Sequence, residues 1–225
     1  MSPVRKTSRL GFAALALCMV GGAALAQSAG AGDDAIVAAL QTQWAQIKYA
    51  IPKAQQAAAF EQLAVQARAA AREKSDAAPV QIWAGIVLAS DAGAKGGLGA
   101  LSLVKEARRD LERALELDPG ALDGSAYTSL GSLYYQVPGW PLGFGDDKKA
   151  RAMLEQGLAI NPDGIDSNFF YGDFLREQGD YAGAEKALKK ALEAPPRPGR
   201  ESADAGRRDE IRQALAQVRG KLTQR

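Results

Sequence analysis

SAYTSLGSLYYQVPGWPLGFGDDKKARAMLEQGLAINPDGIDSNFFYGDFLREQGDYAGAEKALKKALEAPP, residues 125–196, writes one structural pattern twice. Anchored on Gly131, the first copy supplies Tyr127, Leu130 and Tyr134, then Ala150, Leu154, Gly157 and Pro162. Anchored on Gly172, the second supplies Asn168, Tyr171 and Leu175, then Ala184, Leu188, Ala191 and Pro196. From the first Ala to the Pro the steps are 4, 3 and 5 in both copies. Steps of three and four keep side chains on one helical face, so each copy predicts two helices packed back to back. Gly in the first helix and Ala in the second let the backbones approach, Leu fills the groove between them, and Pro cannot continue the second helix.

Two copies in phase resemble the tetratricopeptide repeat, a helical hairpin of about 34 residues. A degenerate third copy precedes them: Ala107, Leu111, Ala114 and Pro119 repeat the steps 4, 3 and 5, with Trp83 and Gly85 in the helix before. The resemblance implies an all-α fold, a right-handed superhelical stack of antiparallel hairpins with repeats over approximately 80–119, 125–162 and 164–196. Upstream, Ile36, Leu40, Trp44 and Ile47 make one apolar stripe on a helix opened by Asp33 and Asp34 and stopped by Pro52. Phe60, Leu63, Ala67 and Ala71 mark a second helix over 53–74, completing an N-terminal helical pair. Downstream, Ile211, Leu215, Val218 and Leu222 predict a capping helix over 204–222, with Arg207, Arg208, Arg212 and Arg219 at solvated positions. Residues 27–225 form a single domain on this reading.

Residues 1–26 belong to a different kind of segment. Arg5, Lys6 and Arg9, an apolar run from Leu10 to Val20 and the small-residue site Ala24-Leu25-Ala26 predict a signal peptide cleaved after Ala26, and hence a periplasmic protein. Cys18 does not read as a lipid attachment site, because Leu17 stands where a small residue is required. Cleavage leaves 25 basic and 26 acidic residues, so the basic excess of the whole chain belongs to its leader and nucleic acid has no electrostatic footprint to bind. It also removes the single cysteine from a chain with no histidine. Ser-His and Cys-His catalysis, and the usual zinc, copper and haem sites, are thereby excluded, and neither a catalytic residue nor a cofactor or metal site is expected. Gly93, Gly96, Gly97 and Gly99 do not make a phosphate loop: Lys95 precedes the glycine pair and no Ser or Thr follows it in place.

Two hairpins depart from the repeat period at the same corner. The step from anchor Gly to small Ala is 12 for Gly172 to Ala184, but 19 for Gly131 to Ala150 and 22 for Gly85 to Ala107. Insertions at one corner of adjacent repeats project from one edge of the stack, so the two loops are expected to be neighbours. The first, from Asp91 to Leu101, reads as flexible and mostly uncharged. The second, from Val137 to Asp146, holds Pro138, Trp140, Pro141 and Phe144 just after Tyr134 and Tyr135. Aromatics on a stiff loop lose little freedom on binding, which makes them contact groups for an apolar ligand or a partner, with Trp83 nearby. Their alternative is to fold back over the helix ends as a satellite core. On the concave face the expected groove positions are Ser125, Thr128, Ser132 and Tyr135, then Asp166, Phe169, Asp173 and Arg176. That set lacks the clamp of cations with which many tetratricopeptide domains hold acidic peptide tails, so such capture is not expected.

The stretch Leu133 to Asp146, followed by Lys149-Ala150, Asn161-Pro162 and Phe170 to Leu175, resembles the T component associated with TRAP transporters. The resemblance implies a periplasmic accessory protein that docks a solute-binding protein, assembles as a homotrimer and offers a pore to an apolar organic acid. The family is typically lipid-anchored, and this chain departs from it at Leu17-Cys18. Two functions follow as expectations: a non-enzymatic module that binds an apolar ligand or a protein through its long-loop edge, or an envelope scaffold that holds a protein partner in the concave groove.

Overall fold

A computed structural model describes residues 21–97 and 99–224. The signal-peptide reading, with Cys18, falls mainly on residues outside these. Nine α-helices follow one another among the described residues: α1 (Gly21–Ala45), α2 (Lys53–Glu73), α3 (Ala78–Lys95), α4 (Ala100–Leu117), α5 (Ala121–Gln136), α6 (Asp147–Ile160), α7 (Ile165–Glu177), α8 (Tyr181–Leu192) and α9 (Glu201–Leu222). No described residue lies in a strand. No described helix is long and apolar enough to cross a membrane.

The hairpins are α3–α4, α5–α6 and α7–α8, each packed along its length, and together they make an all-α, tetratricopeptide-like stack. One contact recurs in all three. A Cβ added to Gly85, Gly131 or Gly172 would sit 2.6, 2.6 and 2.8 Å from Cγ of Leu111, Leu154 and Leu188 respectively. The bare glycine lets the leucine of the opposite helix lie against backbone, and all three leucines are fully buried. α3, α5 and α7 form the inner layer and touch in succession, while α2 flanks α3 and α9 covers α8. Ile211, Leu215 and Val218 are the buried stripe of that cap.

Two expectations are corrected. The first helix does not open at Asp33 but runs from Gly21 through it, and Asp33 pairs with Lys74, at the end of α2, at 3.1 Å. Beyond Ala45 it continues as a π-helical turn, Gln46–Ala50, before Pro52. The stretch 91–101 is not a long flexible loop. Ala92 and Ala94 carry α3 on to Lys95, whose ammonium pairs with Glu61 at 2.9 Å and with buried Asp91 at 3.5 Å, so the connection shrinks to residues 96–99. In α5 a left-handed turn at Leu122, Asp123 and Gly124 precedes the regular helix.

Candidate functional site

The inner layer curves around a groove of about 1370 Å³. Trp83 and Ile86 of α3, Leu133 of α5, and Phe169 and Phe170 of α7 supply apolar wall, and Ser125, Ser129 and Ser132 a polar strip between them. Trp44 of α1 enters from the N-terminal side, donating its indole N–H to Ser90 Oγ at 2.8 Å and stacking edge-on against Trp83. Both predicted insertions border this space, one through Gly96, Gly97 and Leu101 and the other through Val137, Pro138 and Leu142.

The turn after α1 and helix α9 meet at the groove. Tyr49, on the π-helical turn, donates its hydroxyl to Glu210 of α9 at 3.2 Å, and Lys48 pairs with the same carboxylate at 3.2 Å. The Tyr49 ring lies so close to Gly206 that an added Cβ there would run into it. Farther in, the Arg200 guanidinium lies over the Trp83 ring, 5.0 Å from its centroid, joining the segment before α9 to α3. A stack of hairpins that would otherwise be open is clasped at its ends.

A charged cluster stands at that clasp. Asp166, at the start of α7, accepts from Arg197 Nη1 at 2.7 Å and from Arg207 Nε at 2.8 Å. Burial opposes its ionisation, yet Arg207 and Arg197 outweigh that and hold the carboxyl down at about 2. Arg207, which is 9% exposed, also donates to Glu210 at 2.5 Å and spreads over Phe169 and Phe170. Burial works against its charge, and Asp166, Tyr49 and Glu210 raise its pKa despite that. Arg197 makes a second pair with Asp204 at 2.6 Å. Burial pushes the Tyr49 hydroxyl well up, so it stays a neutral donor to Glu210.

Arg207 was expected at a solvated position; it is an interior residue. The repeats, expected to lack a cationic clamp, are joined at the groove by Arg197, Arg200 and Arg207 from the C-terminal segment. The stretch Pro195-Pro196-Arg197-Pro198-Gly199-Arg200 was the available signal, since arginines in a proline-rich frame are held in place.

The remaining sequence-derived residues divide by location. Trp83, Thr128, Phe169 and Asp173 line the groove, Thr128 also packing against Gly157 of α6. Arg176 lies beside a smaller recess with Phe169 and Asp173, tied to Asp173 at 2.7 Å and to Gln217 of α9 at 2.9 Å. Tyr135 donates its hydroxyl to Asp173 at 2.8 Å and does not line the groove. Tyr134 is buried edge-on against half-buried Phe144, which Arg108 covers at 4.6 Å. Trp140 points the other way and is 90% exposed, beside exposed Pro138, Pro141 and Leu142. The loop itself is stiff: Asp146 N–H donates to Tyr134 O at 2.8 Å and Gly145 N–H to Pro138 O at 3.0 Å, while the Asp146 carboxylate caps α6.

The tetratricopeptide repeat family model matches residues 142–201, from the end of that loop to the start of α9. No curated protein gives a match to the chain. Among solved structures the chain is similar to a crystal structure of MamA, at 17% identity and a TM-score of 0.43, over 74% of this chain and 91% of that one.

Proposed function

We propose that the chain is a binding module, exported by its leader, whose clasped groove holds an apolar ligand or an apolar segment of a protein partner. Tetratricopeptide-type stacks are protein-interaction scaffolds, and nothing in the groove resembles a set of catalytic groups. The observation that carries the proposal is the groove itself: about 1370 Å³ walled by Trp44, Trp83, Leu133, Phe169 and Phe170, with its ends joined. An aromatic-lined concavity with a few fixed polar groups is the usual form of a ligand site. The resemblance to the TRAP-associated T component supports a periplasmic accessory role beside a solute-binding protein, in a homo-oligomer.

Native mass spectrometry of the exported protein tests the groove. Wild type is expected to retain a molecule that Ser132→Trp, which fills the polar strip, does not. Wild type without a retained molecule, and without partner crosslinks mapping to α3, α5 or α7, overturns the groove reading. The same spectra report the oligomeric state.

A second reading is favoured by one observation, the near-complete exposure of Trp140 beside Leu142 on a stiff loop. There the loop edge is the partner contact. Trp140→Ala would then abolish binding to the partner while Ser132→Trp left it intact, and the groove reading predicts the reverse.

A further inference from the structure

Around the clasp, Lys48, Arg197, Arg200, Arg207 and Arg208 stand against Asp166, Asp204 and Glu210, five cations to three carboxylates. Four of the cations are accounted for. Lys48 pairs with Glu210, Arg197 with Asp166 and Asp204, Arg207 with Asp166 and Glu210, and Arg208 with Asp204. Arg200 has no carboxylate partner among the described residues, and its buried Nε–H has no acceptor. Its guanidinium lines the groove. Trp83 covers it at 5.0 Å from the ring centroid, and of its three nitrogens only Nε is shut away from solvent without a partner. The backbone beneath is fixed: Arg200 N–H donates to Arg197 O at 3.0 Å, and Arg200 O accepts from Asp204 N–H at 2.8 Å as α9 begins.

The buried Nε–H is closed to an occupant of the groove, so the two terminal nitrogens, which make no hydrogen bond within the chain, are the donors a bound anion meets. The planar fork of an arginine matches a carboxylate in two parallel hydrogen bonds. We propose that Arg200, held on Trp83, is the anchor for a single carboxylate carried by whatever occupies the groove, with the apolar remainder of that occupant lying along Trp83, Ile86 and Phe169. The inference rests on the groove reading. The anchoring cation lies outside the repeats, on the linker between α8 and α9, while the apolar wall comes from the inner helices. Burial first, and then the neighbouring charge of Arg197, lowers the Arg200 pKa against the opposing pull of Asp166 and Asp204.

The test uses the full exported chain and paired probes: octanoate against octan-1-ol, and N-acetyl-leucyl-leucine against its C-terminal amide. Affinities come from calorimetry, and the Arg Nε–H and Trp indole resonances from two-dimensional NMR. At least one acid should bind about tenfold or more tightly than its neutral partner, shifting the Arg200 Nε and Trp83 indole signals. In Arg200→Met that ratio should fall to about one while the neutral probe binds as before. Preference for octanoate identifies a free amphiphilic acid as the occupant, and preference for the peptide acid a chain terminus. Equal affinity for acid and neutral probe in wild type, a preference that survives Arg200→Met, or shifts confined to other arginines would overturn the subsite. Should Arg200→Met fail to fold, Arg200→Lys keeps the charge without the fork, and the wild-type resonances decide alone. Octanol binding without acid preference sinks the subsite and spares the groove reading; binding of none of the four sinks both.

Discussion

Asp166 shows how one carboxylate can determine the chemistry of a site. Its folded-state pKa is about 2, against about 3.9 for an unperturbed aspartate. A depressed carboxyl contributes stability that is present above the unfolded value and is lost as pH falls through the folded one. The window is therefore about pH 4 down to about pH 2, and the contribution is about 1–2 kcal/mol after allowance for solvent screening of a side chain that is 32% exposed. Asp166→Asn is expected to lower stability at pH 7 by that amount and to flatten its pH dependence between 2 and 4. Urea melts across that range check both, and a variant as stable and as acid-sensitive as wild type would refute the argument. Sequence spacing put Asp166 on the inner face correctly. It put Arg207 outside, because a helical wheel knows only its own helix: the partner that draws Arg207 inward is 41 residues away. Trp140 and Phe144 were equally ambiguous, four residues apart on one loop, until packing against Tyr134 separated them.

At the scale of elements, what was legible is what is local. The Gly-to-Leu contact, the Pro stops and the cap stripe follow from spacings within a hairpin, and each hairpin and α9 came from them. The connection between α3 and α4 was misread because glycine content suggests a loop, whereas the Asp91–Lys95–Glu61 pairing keeps that stretch helical through Lys95. The π-helical turn Gln46–Ala50 has no spacing signature, yet it aims Lys48 and Tyr49 at α9. Its counterpart is Gly206, on the face of α9 that the Tyr49 ring occupies. Gly206→Ala adds a methyl group where there is no room, an overpacking cost of about 1–3 kcal/mol that the clasp can relieve by opening. Faster hydrogen exchange is expected in residues 46–50 and 201–210, with α5 and α6 unchanged. Unaltered exchange at both ends of the clasp would show that the contact does not hold the groove shut.

For the whole molecule, joining the ends changes how a repeat stack behaves. In an open stack each hairpin contacts only its neighbours, so stability is a sum of local terms and a terminal repeat can unfold first. Here Tyr49 and Glu210, 161 residues apart, tie the first helical pair to the last helix, and the loss of either end exposes surface at the other. Unfolding should accordingly be a single transition in wild type, with far-UV circular dichroism and the emission of buried Trp44 and Trp83 changing together in urea. In a Tyr49→Ala, Glu210→Ala, Arg200→Ala variant the contacts that join the ends are removed, and α9 with its neighbours should unfold at lower urea than the N-terminal half that holds both tryptophans. The dichroism midpoint would then precede the fluorescence midpoint, and the apparent m-value would fall, since less surface is exposed in each step. Coincident curves in the triple variant would mean that nearest-neighbour packing alone makes the stack cooperative. The clasp would then serve only to shape the groove.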